Sequence, residues 1–162
     1  MSAAVPTFAY RVAGEEGFEA VRPLWEKLRA HYSPALACFA GEMPPFIFGP
    51  RKQEILAKAA AGKMRIELVS MVANTADIAY CISTVSSGGR GEIDSMFVEE
   101  PFRGRGIGSE LIHHALAWLE SAGASSKVVT VAYANEEALA FYKRFGFHPR
   151  TISLQQSHDP TA

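Results

Sequence analysis

Glycine recurs at every second position over Gly104, Gly106 and Gly108, inside the segment Val98–Ser109. Upstream lies Glu92–Val98, short and strand-like. Downstream, Gly106–Ala122 places Ile107, Leu111, Ile112, Ala115, Leu116, Leu119 and Ala122 on one helical face before Gly123 stops it. A backbone that curls this tightly between a strand and a long amphipathic helix points to helices packed on a sheet.

The rest of the chain fits that architecture. Thr7–Val12 alternates through Phe8, Tyr10 and Val12 as an opening strand, and Gly14 and Gly17 break it. Phe18, Val21, Leu24, Trp25 and Leu28 recur at helical steps. Ala35–Pro50, with three prolines, two glycines and three phenylalanines, is too broken for regular structure. A second helix fits Arg51–Ala61, closed by Gly62. Met64–Val72 and Asp77–Val85 read as strands joined through the Ala73–Ala76 turn, and Glu92–Val98 follows. Lys127–Ala132 reads as a buried strand. Asn135 caps a helix with Glu136 and Glu137 in its first turn, Gly146 ends it, and Phe147–Gln155 is expected to close as a strand. The expected class is α/β (α+β): one domain over 1–162, with an antiparallel first half.

Composition narrows the partners. The 162 residues are 48% apolar and 20% charged, with a net charge of −1. That length suits one domain with a full core. No apolar run approaches the roughly 20 residues of a membrane helix. The N-terminus lacks a basic start and a long apolar stretch, so no secretory signal is expected. Cys38 and Cys81 lie far apart without metal-ligand spacing. A cytoplasmic, reduced protein with no metal and no membrane partner is expected. Near-neutral charge also argues against nucleic acid as partner, the more so because Glu99, Glu100 and Glu110 flank Arg103 and Arg105. Anion recognition must then be local.

The glycine segment is the place for it. Unpaired amides of a helix N-terminus carry partial positive charge, and flanking glycines let a pyrophosphate approach them. Arg103 and Arg105 add charge there. The segment is neither a Walker loop, because no Gly-Lys pair follows, nor a dinucleotide fingerprint, because the third glycine is replaced by Ser109 or Leu111 in either register.

Arg103-x-x-Gly106-x-Gly108 after Met96-Phe97-Val98 resembles the acetyl-CoA motif of the GCN5-related N-acetyltransferase (GNAT) superfamily. Asn135 and the segment Ala140–Phe147 are similar to that family's second block. The resemblance implies a mixed central sheet of about six to seven strands flanked by about four helices. It implies an acetyl-CoA-binding core at 92–147 and a helical substrate-side segment at 14–62. In that fold two parallel strands splay apart around the pantetheine arm; here they would be Glu92–Val98 and Lys127–Ala132. Cofactor contacts would fall on Met96, Phe97 and Val98, on Arg103, Gly104, Arg105, Gly106, Ile107, Gly108 and Ser109, and on Asn135. The implied reaction is N-acetyl transfer from acetyl-CoA to a primary amine, by direct attack through a tetrahedral intermediate. The Met96 N–H would polarise the thioester carbonyl.

Tyr142, seven residues after Asn135, would be the general acid for the leaving thiolate. Direct attack also needs a neutral amine, hence a proton acceptor. Ribosomal-protein acetyltransferases of the family carry a Glu where this chain has Thr130. Polyamine acetyltransferases carry an acid at the position of Asp94, which makes Asp94 the candidate base; Glu92 shares its strand parity. That acidic pair tilts the expected acceptor towards a small cationic amine. A non-catalytic acyl-CoA-binding module of the same fold is the alternative. His113 and His114 are adjacent on a helix and point apart, against a shared metal. His31 and Tyr32 could line an acceptor pocket, with Ala35–Pro50 as its wall. His148 and His158 read as surface residues, and Lys143 and Arg144 as helix surface. A homodimer is compatible with the resemblance.

Overall fold

The strand and helix periods resolve into ten regular segments among the described residues. The computed structural model describes residues 7–30 and 47–156. In chain order they form β1 (Phe8–Ala13), α1 (Gly17–Ala30), α2 (Phe48–Ala60), β2 (Lys63–Met71), β3 (Asp77–Val85), β4 (Arg90–Val98), a 3-10 turn (Glu100–Phe102), α3 (Ile107–Ser121), β5 (Ser126–Val129) and α4 (Glu136–Lys143). The sheet runs β1-β2-β3-β4-β5, antiparallel except for the parallel β4–β5 pair. His31, Tyr32, Cys38, His158 and most of the Ala35–Pro50 wall lie outside the described residues.

Alternation along β2 and β3 sorts side chains onto two faces. Ile66, Leu68, Tyr80 and Ile82 meet Phe18, Val21, Leu24 and Trp25 of α1 and Phe48 and Ile55 of α2. Val69, Ala79, Cys81 and Ile93 meet Ile107, Leu111, Ile112, Ala115 and Leu119 of α3. Burying each large aliphatic side chain contributes about 1.5–3 kcal/mol, so the two layers fix where α2 and α3 sit relative to β4. Among the described helices none is long and apolar enough to cross a membrane.

Three expectations change. The sheet of the described residues has five strands rather than six to seven. The segment expected as a closing strand, Phe147–Gln155, forms none. Its Phe147 N–H returns to the Tyr142 carbonyl to finish α4, and its alternating apolar residues Ile152 and Leu154 are 68% and 91% exposed. Alternation makes a strand only where a face is buried, and here none is. Finally, α2 starts at Phe48 inside the Pro- and Gly-rich stretch, with Pro50 in its first turn, where the missing N–H costs nothing.

Gly62 ends the turn after α2 for a steric reason. A Cβ there would lie 1.9 Å from the Val85 carbonyl oxygen. Gly62→Ala is expected to destabilise the fold by about 1–3 kcal/mol or more, measured as a lower urea midpoint at unchanged slope. An unchanged midpoint would contradict the packing of this turn on β3.

Candidate active site

The parallel pairing of β4 with β5 runs from Arg90↔Ser126 to Ile93↔Val129 and stops there. At the next residue β4 carries a bulge. Ile82 pairs with Ser95 and Ser83 with Ile93, leaving Asp94 as the extra residue. A bulge bends its strand and increases the twist, so the two strands part where it sits. Residues 94–98 and 129–132 then wall a cleft of about 880 Å³.

Backbone direction along the free edge follows from one bond. The Glu99 N–H donates to the Ile78 carbonyl of β3 at 2.9 Å. By period-two alternation the Met96 and Val98 amides face the other way, into the cleft. The Val98 carbonyl there accepts from Arg103 Nε at 2.9 Å, which ties the glycine segment to β4. Phe97 turns its side chain into the α1/α2 core.

At one end of the cleft α3 begins. Gly104 and Gly106 adopt left-handed φ of +72° and +85°, and Gly106 is the N-cap, with no side-chain hydrogen bond to the helix amides. A Cβ on either glycine would meet nothing within 4 Å, so the helix terminus opens onto free space. Ile107, Gly108 and Ser109 line the cleft, and first-turn amides of a helix have no intrahelical partner. The left-handed turns plus these amides form a concave donor set that fits a phosphate group. Arg103 also lines the cleft, its guanidinium 5.6 Å from the Phe97 ring centroid. Arg105 is not among the lining residues; its guanidinium lies 6.0 Å from the Phe102 ring centroid.

The opposite wall comes from α4. Asn135 Oδ1 accepts from the Ala138 N–H at 3.1 Å, so the side chain caps the helix and its amide nitrogen is the remaining donor. Tyr142 lines the cleft two turns on, its ring 5.2 Å from Phe141 and 5.7 Å from Phe147. Arg144, exposed as the helix-surface reading expects, lines it too, stacked 5.1 Å from the Phe141 ring centroid.

Glu92 and Asp94 share the α1/α2 face, as their strand parity implies, and a residue unnoticed in the sequence joins them. Lys58 of α2 places Nζ 2.7 Å from Asp94 Oδ1 and 3.0 Å from Glu92 Oε2. The Thr84 hydroxyl donates to Asp94 Oδ2 at 2.7 Å, and Arg51 Nη2 donates to the Asp94 carbonyl at 2.8 Å. The Asp94 side chain has no exposed surface. Burial pushes its carboxyl above the usual range, outweighing the bonds from Lys58 and Thr84 that pull it down. Burial opposes the Lys58 charge, but the bonds to the two acids prevail and hold its ammonium above its ordinary value. Beside this network a second cavity, of about 420 Å³, opens between α1, α2 and β4; Asp94 and Thr130 line both. Nothing in one-dimensional spacing signals Lys58, because 36 residues separate it from Asp94.

The histidines of α3 diverge. His114 Nδ1 lies 2.9 Å from Glu67 Oε1, while the His113 ring packs 5.3 Å from that of Phe145. Among the described residues no group of three or more His, Cys, Asp or Glu could hold a metal ion. Burial pushes the Cys81 thiol up to about 12. The sign is clear: a raised value keeps the neutral thiol far above pH 8, where the thiolate fraction is on the order of one in ten thousand. Peptide mapping after maleimide treatment of the folded chain at pH 8 is expected to find Cys81 unmodified; modification within minutes would contradict its burial under α3.

A stretch of 71 residues is 37% identical to an uncharacterized N-acetyltransferase of Methanocaldococcus jannaschii, covering 44% of this chain and 31% of that protein. Another, of 58 residues, is 40% identical to an N-alpha-acetyltransferase of Arabidopsis thaliana, covering 36% of this chain and 30% of that protein. The matched stretches thus span about a third of the length of these curated relatives. In structure, an aminoglycoside N-acetyltransferase solved in complex with CoA superposes with a TM-score of 0.66 at 16% identity, over 96% of this chain and 99% of that one. The likeness at that identity is one of fold: a single α+β domain, with one mixed sheet and four helices among the described residues. The model of the acetyltransferase (GNAT) family matches residues 19–147, which takes in both helices before β2, the bulged strand, the glycine turn and α4, and this chain belongs to that family.

Proposed function

We propose that the chain transfers an acetyl group from acetyl-CoA to a primary amine by direct attack on the thioester, within one N-acetyltransferase domain over 1–162. The observation that carries the reading is the cleft where β4 and β5 part, with a phosphate-fitting helix terminus at one end and Tyr142 on its wall. Its volume and its mixed lining suit an extended co-substrate with an anionic head and an apolar arm.

The residues then divide the work. Backbone amides of 104–109, with Arg103, hold the pyrophosphate; Arg105, away from the lining, adds long-range charge only. Met96 N–H, on the free edge of β4, donates to the thioester oxygen as negative charge develops on it. Val98 and Asn135 position the arm. Tyr142 donates its phenolic proton to the departing thiolate. Asp94 and Glu92 take up the amine's proton through water, because the Asp94 carboxylate is itself covered. A carboxyl raised by burial is the better proton acceptor, which favours Asp94 over an ordinary surface acid. The acceptor enters from the α1/α2 side, where the second cavity lies.

A thiol-release screen with acetyl-CoA and monoamines, diamines, amino acids, peptides and aminoglycosides tests the reading. Release with at least one amine class, depending on both substrates, is expected. Tight acetyl-CoA binding with silence across the whole panel would make the chain a non-catalytic acyl-CoA-binding module.

A further inference from the structure

The carboxylates of Glu92 and Asp94 form an acidic pair beside the acceptor cavity, which by itself would attract a cationic substrate. In the folded chain that seat is taken. Lys58 Nζ stands 2.7 Å from Asp94 Oδ1 and 3.0 Å from Glu92 Oε2, and its side chain is 28% exposed against 0% and 15% for its partners. Of the other charged groups around the cavity, Arg51 Nη1 pairs with Glu54 Oε2 at 2.8 Å, and Arg29 lies on the lining. Among the described residues the lining carries two cations (Arg29, Arg51) and three anions (Glu54, Glu92, Asp94), and Lys58, itself off the lining, supplies a third positive charge through its pairs with Glu92 and Asp94. With Lys58 counted, the described charges around the cavity balance before any substrate arrives.

We infer that Lys58 is a specificity-determining residue: its ammonium, set off the cavity lining, is a built-in counter-ion to the acidic pair, so the site selects amines carrying no second positive charge. This rests on the acetyltransferase reading above. A diamine entering the wild-type cavity brings an extra cation beside Arg29 and Arg51 and finds, among the described residues of the lining, no carboxylate without a basic partner. Its desolvation is then uncompensated. Removing the Lys58 charge frees the acidic pair to receive it.

The test compares n-butylamine with 1,4-diaminobutane, which share a carbon chain and differ by one ammonium. In the wild type kcat/KM from thiol release is expected to favour the monoamine. In Lys58→Gln, which keeps a donor without the charge, and in Lys58→Met, the diamine-to-monoamine ratio is expected to rise about tenfold or more. Lys58→Arg is expected to keep the wild-type ratio; in Lys58→Gln with Asp94→Asn, which also removes the candidate base, the ratio is read from dissociation constants by calorimetry and is expected to return towards the wild-type one. An unchanged ratio in a folded Lys58→Gln variant that still responds to acetyl-CoA would overturn the proposal, as would a wild type that already prefers the diamine. If the wild type turns over neither amine, calorimetric titration of both into the CoA complex of each variant reads the same ratio from dissociation constants. Failure of the reaction and failure of the Lys58 assignment are thus separate results.

Discussion

Gly108→Glu is expected to abolish the rise in melting temperature that acetyl-CoA gives the wild-type chain. A ligand at a hundred times its Kd stabilises by about 2.7 kcal/mol, which for a domain of this size corresponds to roughly 5–10 °C. The Gly108 Cβ position lies 3.4 Å from the Phe141 ring and 3.9 Å from Val98 Cγ2, so a larger side chain fills the cleft between α3, α4 and β4. Glutamate also sets a negative charge where the pyrophosphate must sit. Gly108 lies within the first turn of α3, where an acid suits the helix dipole, so the unliganded protein is expected to melt close to the wild type. Gly106→Glu is the less clean variant, because the left-handed φ there adds about 1–2 kcal/mol of strain. A full acetyl-CoA shift in Gly108→Glu would move the phosphate site away from this turn.

Tyr142→Phe is expected to lower kcat by about 10²–10⁴-fold while leaving the acetyl-CoA shift in place. Phenylalanine keeps the ring that packs against Phe141 and Phe147 and removes the phenolic hydroxyl with its proton. Loss of the acid should tell most on the step in which the thiolate departs, so kcat falls more than KM changes. The defect should shrink for an acyl donor with a more acidic leaving thiol, which needs less protonation. A Phe variant with wild-type kcat would assign the ring a packing role alone.

Much of this arrangement was legible in the chain because it is local. The α3 face repeats over fifteen residues, and the glycines at 104, 106 and 108 sit directly before it. The turns and caps at Asn135 and Gly146 are likewise set by neighbours within a few residues. What stayed hidden is what tertiary contact decides. The bulge at Asp94 depends on how β4 pairs with β3, and parity alone carried Glu92 and Asp94 to one face without revealing that Lys58 joins them. The free edges of β4 and β5 beyond Ile93 and Val129 are a property of strand pairing that no local period records. Conversely, the alternation of Ile152 and Leu154 suggested a strand, but exposure of both shows that period two without a buried face is not enough. Arg144 is exposed, as the helix-surface reading expects, but stacking on Phe141 and Phe145 sets it at the cleft, which spacing alone does not show.

The most direct measurement is a single turnover with acetyl-CoA labelled in the acetyl group, protein in excess, and an amine that supports thiol release. Rapid quenching should show label leaving acetyl-CoA and appearing in the acetylated amine at one rate, with no label bound covalently to the protein. Label held on the protein before it reaches the amine, or labelled acetyl-CoA that stays bound and unconsumed, would contradict direct transfer in the β4–β5 cleft.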